Sequence, residues 1–237
     1  MMRTCILWLL VLGSGSLLAQ NNGLRQSIDS SAVRYLRIVD SQSVLYYGNE
    51  QEGHKRVTNH PYLEDEKYVK ARLSYLQVIY SEVLLRLDLS RNELVIMSPD
   101  HRNIVLFHEN VDFAELHNWH IIHFRSDSLP GCPSSGYYML LYSGKCKVLE
   151  KRFAVLTLKS GYSTSQEQYY SFSTTFYLFK DGIYYNIRNK KGLLKILNPY
   201  KKELKRFISA NRLRFRRDKQ KFFTLTVSEY EKLSGSL

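Results

Sequence analysis

The chain has few cysteines and few long apolar runs, and it lacks the short motifs that mark common enzyme families. Three cysteines in 237 residues are too few for a disulfide-stapled scaffold. After Gln20, no apolar stretch approaches the roughly 20 residues that a membrane-spanning helix needs. That part of the chain also contains no Gly-x-Ser-x-Gly motif, phosphate-binding glycine loop, dinucleotide fingerprint or calcium loop. These absences leave no catalytic residue to assign and no cofactor to predict.

The composition nevertheless supplies enough apolar surface for a core. Hydrophobic residues make up 44% of the sequence, with 18 Tyr and 11 Phe among the aromatics. This composition disfavours disorder and fibrous repeats, because burial of apolar area can offset the entropy lost on folding. No internal repeat or flexible linker divides the chain, so its length favours one compact domain.

The first nineteen residues have the layout of a secretory signal peptide. A single basic residue, Arg3, precedes an apolar run from Ile6 to Leu12, and small residues follow before Ala19. Because this run is too short to span a bilayer, we expect cleavage after Ala19. The mature protein would then be exported to the periplasm, the cell envelope or the medium. Residues 20–60 form a leader segment in which the pattern does not distinguish helix from strand.

Export would change what the two remaining cysteines, Cys132 and Cys146, can do. An oxidising compartment permits a disulfide between them, which would close a short loop and contribute roughly 3 kcal/mol. The predicted hairpin register does not place them opposite one another, so a disulfide and two free thiols both remain open. In principle Cys132 could pair with a histidine for catalysis, but its Pro-Gly-Cys-Pro context is typical of a turn.

Between residues 61 and 188, short apolar runs of period two alternate with turn dipeptides, which indicates antiparallel sheet. The strongest signal is Asp181-Gly182 between two aromatic runs, because Asp-Gly favours a two-residue type I′ turn. A second tight turn at Arg91-Asn92 predicts that Leu89 lies opposite Leu94. Successive hairpins of this kind predict a meander of roughly nine or ten strands, which must curl or close at that size.

After residue 188 the apolar period becomes helical. An apolar stripe predicts an amphipathic helix that Asn198-Pro199 would start and Asn211 would end. Its members are Tyr200, Leu204, Phe207 and Ile208. A last helix is expected to begin near Asp218. We therefore predict an α+β fold: a curled antiparallel β-meander, open barrel or sandwich-like, followed by two or three C-terminal amphipathic helices. These helices would form a basic segment at residues 189–237, packed on the same domain.

Four stretches of the chain combine hairpin turns, strand faces and helix stripes in a recognisable order. They are SEVLLRLDLSRNELVI (81–96), GYYMLLYSGKCKVLEKR (136–152), YLFKDGIYYNIRNKKGLLKIL (177–197) and KKELKRFISANRLRFRRDKQ (201–220). Together they resemble an uncharacterised family of secreted Bacteroidetes proteins, from about residue 61 to the end of the chain. The resemblance implies export and a sheet followed by helices, and it implies no activity or catalytic residue.

Histidines are the first residues to consider for metal binding or catalysis. Four fall within sixteen residues: His108, His117, His120 and His123. On the strand predicted here, His120 and His123 point to opposite faces, so one strand cannot present both to a metal. A zinc site would need His108 from the preceding strand and an acidic ligand such as Glu115, and we predict no metal. One alternative function is a hydrolase whose site is assembled around His108 and Glu115.

Basic residues carry the clearest signal. The chain has 34 Lys and Arg against 22 Asp and Glu, a net charge of +12. Fourteen of these cations lie between Arg188 and Lys221, where Glu203 and Asp218 are the only acids, so the rest of the chain is electrically balanced. On the predicted helix these cations lie largely away from the apolar stripe. The residues we expect to bind an anion are Lys201, Lys202, Lys205, Arg206 and Arg212, although exposed basic side chains can also serve solubility alone.

The predicted compartment decides which anion is expected. An exported protein meets anionic lipids and surface glycans before it meets nucleic acid. The aromatic residues of the basic segment mostly fit the apolar stripe, which removes the stacking platform that single-stranded nucleic acid requires. We therefore predict a non-enzymatic cell-envelope protein with a binding or structural role, attracted to an anionic envelope lipid or glycan. A lipid or small-ligand carrier inside the curled sheet is the other alternative.

Overall fold

The computed structural model describes residues 44–54, 57–158 and 167–235. Leu45–Leu237 form one compact unit. The predicted signal peptide, residues 1–19, and the predicted leader as far as residue 43 lie outside the described residues. The end of that leader, from Leu45 onward, belongs to the compact unit and contributes a short strand to its sheet.

In the described residues, eleven antiparallel strands form one sheet and three helices follow it, so the predicted α+β class is confirmed. The strands are β1 Asn49–Glu50, β2 Val69–Tyr75, β3 Val78–Asp88, β4 Glu93–Met97, β5 Asn103–Val105, β6 Val111–Leu116, β7 Trp119–Phe124, β8 Gly136–Ser143, β9 Lys147–Leu158, β10 Gln168–Lys180 and β11 Ile183–Asn186. The helices are α1 Lys190–Ile196, α2 Lys201–Ala210 and α3 Lys219–Gly235. The strand order is β1-β5-β4-β3-β2-β6-β7-β8-β9-β10-β11, with β1 and β11 at its two ends.

The sheet curls as its size requires. After β5 the chain returns past β4 and β3 through a 3-10 turn at His108–Asn110, and β6 pairs with β2 instead of β5. Strands far apart in the sheet order then touch: the amide of Tyr137 on β8 donates to Asn92 Oδ1 before β4 (3.1 Å). Likewise, the amide of Ala154 on β9 donates to the carbonyl of Leu89 after β3 (3.2 Å). The meander is therefore curled, and its two edge strands do not pair with each other.

Two clusters of buried side chains hold this arrangement together. Inside the curl, alternate residues of β2 to β8 meet, among them Leu73, Leu85, Leu94, Ile96, Ile121 and Met139. The three helices cover the later strands, where Val148, Phe176 and Leu178 pack against Leu197, Leu204 and Phe223. Burial of each such side chain contributes roughly 1.5–3 kcal/mol, so both clusters are substantial sources of stability.

The hairpin between β3 and β4 has a register two residues away from the predicted one. Leu87, not Leu89, lies opposite Leu94, and Asp88 pairs with Glu93. The reason is the carboxylate of Asp88, whose Oδ1 accepts hydrogen bonds from the amides of Ser90 (2.9 Å) and Arg91 (3.1 Å). These bonds form a four-residue loop in place of the expected two-residue turn. The Asp181-Gly182 hairpin, by contrast, is confirmed, since Lys180 pairs with Ile183 and both loop residues have positive φ.

The helical segment buries the predicted apolar stripe, but one helix starts later than expected. α2 begins at Lys201 with Tyr200 as its N-cap, so the predicted start at Asn198-Pro199 was wrong. Asn211 ends α2 as expected, and Leu204 and Ile208 lie buried beneath it. None of the described helices combines the length and the apolarity that a membrane span requires.

Candidate anion-binding site

The fourteen basic residues between Arg188 and Lys221 are all exposed. None of them forms an ion pair with a carboxylate of the described residues. The ion pairs that the structure does contain lie elsewhere, for example between Arg72 and Glu115 and between Lys70 and Glu82. The positive charge of the helical segment therefore remains available to an external anion.

Four of these cations surround one cleft of about 530 Å³, which we call the arginine cleft. Its basic lining consists of Arg212, Arg214, Arg217 and Lys221. Asp218 is the single acid in the lining, and Leu213 and Phe222 contribute apolar surface. The cleft lies at the connection between α2 and α3, so its shape depends on how that connection folds.

Local hydrogen bonds fix the connection. The amide of Leu213 donates to the carbonyl of Ile208 (2.9 Å), which closes the end of α2. The amide of Arg217 donates to the carbonyl of Arg214 (3.1 Å), which forms the next turn. Asp218 then caps α3 by accepting from the amide of Lys221 (2.8 Å). Three arginines are thereby placed on a short, hydrogen-bonded segment between two helices.

A second cleft of about 820 Å³ shares Arg214 and Arg217 with the arginine cleft, so the two are adjacent. Lys190, Lys191 and Arg216 complete its basic lining, and Phe215 lies among them. The ring of Phe215 also packs against Phe222 and Phe223, with centroids 5.5 and 5.7 Å away. Phe215 therefore anchors the connection to the core while its neighbouring arginines stay exposed. We call the two cavities together the paired clefts.

The anion-binding residues expected from the sequence divide between two places. Arg212 lines the arginine cleft, as do Arg214, Arg217 and Lys221, which we did not single out. The other four expected residues, Lys201, Lys202, Lys205 and Arg206, lie exposed along α2 and outside both clefts. The density of basic residues after Asn211 was the signal available in the sequence. Their convergence on a concave surface depends on the fold of the connection and had no sequence signal.

The histidines do not form a metal centre in the described residues, where no three His, Cys, Asp or Glu side chains come close enough to hold an ion. As expected, His120 and His123 face opposite sides of β7. His120 lies near Glu115, with Nδ1 and Oε1 3.7 Å apart, whereas the ring of His123 lies 4.8 Å from the ring of His108. His108 and Glu115 therefore have different neighbours, and the geometry gives no support to a hydrolytic site built from that pair.

Cys132 and Cys146 are free thiols. Cys146 is buried in the cluster beneath the helices, and this burial raises the pKa of its thiol to about 11. Cys132 lies in the loop before β8, where its sulfur accepts from the amide of Asp127 (3.3 Å). The Cys146 thiol is therefore a poor nucleophile near neutral pH, because little of it is ionised.

Comparison of the chain with protein-family models, curated proteins and solved structures finds no match. The resemblance to secreted Bacteroidetes proteins accordingly stays a prediction.

Proposed function

We propose that this protein is an exported, non-enzymatic component of the cell envelope that binds an anionic lipid or glycan through the paired clefts. The observation that carries the proposal is the convergence of Arg212, Arg214 and Arg217 on a concave surface with one acid, Asp218. Guanidinium groups match the planar geometry of phosphate and carboxylate oxygens and bind them through two parallel hydrogen bonds. Export itself rests on the layout of residues 1–19.

A lipid is the better supported of the two anions. The second cleft combines cationic side chains with the half-buried ring of Phe215, which suits a ligand with a charged head and an apolar body. The carrier alternative has less support, because the inside of the curled sheet is occupied by the buried side chains of the first cluster. An apolar ligand there would have to displace them.

The test is co-sedimentation of the mature protein with vesicles of neutral phosphatidylcholine and with vesicles that also contain anionic phosphatidylglycerol. We expect binding only to the anionic vesicles, weakening as salt rises, because exposed charges are screened. The variant R212Q/R214Q/R217Q should bind more than tenfold more weakly, since it removes three guanidinium groups that line the clefts and would hydrogen-bond the anion. A soluble acidic glycan, hyaluronate, added as a competitor distinguishes the two sources: release from the vesicles assigns the clefts to glycans.

The matched control is K201Q/K202Q/K205Q, which removes the same charge from the exposed face of α2. We expect it to retain most of the affinity, because these residues lie outside the clefts. Equal losses in the two variants would mean that the clefts are not the binding site. Equal sedimentation with neutral and anionic vesicles, insensitive to salt, would overturn the proposed function.

A further inference from the structure

A third cavity, of about 490 Å³, lies where the curl brings the end of β5 against the start of β8. Its walls come from the chain around Asn92 and Glu93, from residues 105–109, and from His123, Ser135 and Tyr137 on the facing side. The hydrogen bond from the Tyr137 amide to Asn92 Oδ1 holds these walls together (3.1 Å). We call this space the polar cavity. It is separate in sequence and in lining from the paired clefts.

Two buried polar atoms at the polar cavity lack partners. Tyr137 is only 3% exposed, and its hydroxyl has no hydrogen-bond partner among the described residues. Nδ1 of His123, on the neighbouring strand, is also buried and finds no partner in the described part of the chain. The two rings touch, with centroids 5.2 Å apart. Buried polar groups in proteins are nearly always paired, and both residues line the polar cavity, so a ligand that enters this cavity could supply the missing hydrogen bonds.

The charges around the polar cavity argue against an anion. Burial and the nearby His108 lower the pKa of His123 to about 4, so its imidazole is neutral at pH 7. Arg91 brings one positive charge, whereas Glu93 and Glu109 bring two carboxylates. Burial raises the pKa of Glu93. Even so, the polar cavity does not have the excess of cations over carboxylates that lines the paired clefts. A metal ion is also disfavoured, since the described residues contain no suitable group of three ligands.

We propose that the polar cavity binds a neutral sugar. Sugar hydroxyls both donate and accept, which suits a lining of carboxylates and imidazoles as acceptors with amides, a guanidinium and the Tyr137 hydroxyl as donors. The ring of Phe107 is 41% exposed at the cavity and offers an apolar face to the C–H groups of a sugar. The volume falls within the range of small-molecule sites, roughly 300–1,000 Å³.

The test is titration of the mature protein with glucose, galactose, mannose and N-acetylglucosamine, with glucuronate as the anionic counterpart. Binding is followed by the NMR signals of the histidine ring protons. We expect at least one neutral sugar to shift the His123 signal in a saturable way and glucuronate to bind more weakly. Tyr137→Phe should lower the affinity for that sugar roughly tenfold, because it removes one buried hydrogen bond to the sugar and keeps the aromatic ring.

Two further variants separate binding from folding. Tyr137→Phe should leave the thermal midpoint unchanged or raise it, since the hydroxyl that it removes is unpaired within the described residues. Thr226→Val removes another buried hydroxyl that has no partner in the described part of the chain, on α3 and outside the cavity lining, and should not affect sugar binding. His108→Ala changes an exposed residue that lines the cavity, and it should weaken sugar binding. This variant provides the test if Tyr137→Phe fails to fold.

The proposal is wrong if none of the neutral sugars shifts the His123 signal. It is equally wrong if Tyr137→Phe or His108→Ala, once folded, binds the sugar as tightly as the parent protein. R212Q/R214Q/R217Q should retain sugar binding in full, because its changes lie in the paired clefts. A parallel loss in that variant would place the sugar there and not in the polar cavity.

Discussion

Asp88 shows how much of this fold depends on a single side chain. Its carboxylate is fully buried and accepts hydrogen bonds from both sides of the molecule. Oδ1 binds the amides of Ser90 and Arg91 in the loop after β3, whereas Oδ2 accepts from Gln51 Nε2 (3.0 Å) and contacts His54. One acid thus sets a hairpin register and attaches the segment that precedes β2.

We expect Asp88→Asn to destabilise the protein by about 3 kcal/mol. The amide keeps the size of the side chain, but its NH₂ group would face donors and leave buried hydrogen bonds unmade. Urea unfolding followed by circular dichroism measures the loss as a lower midpoint.

Asp100→Asn is the matched control for this change. Asp100 also accepts from a hydroxyl and from an arginine, Ser98 and Arg102, but its side chain is 58% exposed. Water can replace the lost bonds there, so the cost should stay below about 1 kcal/mol. Similar midpoints for the two variants would show that Asp88 does not hold the loop as described.

At the scale of elements, a carboxylate near the end of α3 links this helix to the turn between β8 and β9. Glu231 accepts a hydrogen bond from the amide of Cys146 and another from the hydroxyl of Tyr142 (3.0 Å). Glycine at position 144 leaves room for this contact, because a Cβ there would lie 2.4 Å from Glu231 Oε2 and the carboxylate would have to move. The Glu231 carboxylate therefore links the end of α3 to the β8–β9 turn.

Glu231→Ala should cost about 2 kcal/mol, because it leaves the buried amide of Cys146 without an acceptor. Hydrogen exchange should be faster at that amide and along the last turns of α3, while the first cluster stays protected. Glu229→Ala, on the same helix, removes an ion pair with Lys232 at 3.8 Å and should cost under about 0.5 kcal/mol. Unchanged exchange in Glu231→Ala would contradict the proposed attachment.

These elements also show what the sequence could predict. The Asp181-Gly182 hairpin and the stripe of Leu204 and Ile208 were predictable, because each depends on residues close in the chain. The β3–β4 register was not, since Asp88 is held by Gln51 and His54, more than thirty residues earlier. Pairing of β6 with β2 could not be predicted for the same reason, because β3, β4 and β5 separate these two strands along the chain.

The candidate site was predictable only in part, for a related reason. The concentration of basic residues can be counted in the sequence, and Arg212, one of the five residues expected to bind an anion, lines a cleft. Which other cations join it depends on the turns between α2 and α3. The polar cavity had still less sequence signal, although His108 and His123 were both noted, because its walls come from strands that only the curl brings together.

At the scale of the whole molecule, charge and fold are divided along the chain. The sheet and its surroundings contain cations and anions in equal number, whereas the segment from Arg188 to Lys221 carries the entire net charge of +12. Like charges at this density repel one another, and no carboxylate of the described residues neutralises them. The segment therefore folds against a repulsion that dissolved salt can weaken.

Raising sodium chloride from low to physiological concentration should consequently stabilise the protein by about 1 kcal/mol, a rise of roughly 2–4 °C in the thermal midpoint. K201Q/K202Q/K205Q should show a clearly smaller rise, because it lowers the charge of the repelling segment. K67Q/K70Q/R72Q, which removes as many cations from the balanced part, should keep the full rise and lose the ion pairs with Glu82 and Glu115. Scanning calorimetry at the two salt concentrations measures all three. The repulsion would not be localised in the helical segment if the thermal midpoint did not change with salt. The same would follow if the midpoint rose equally in both variants.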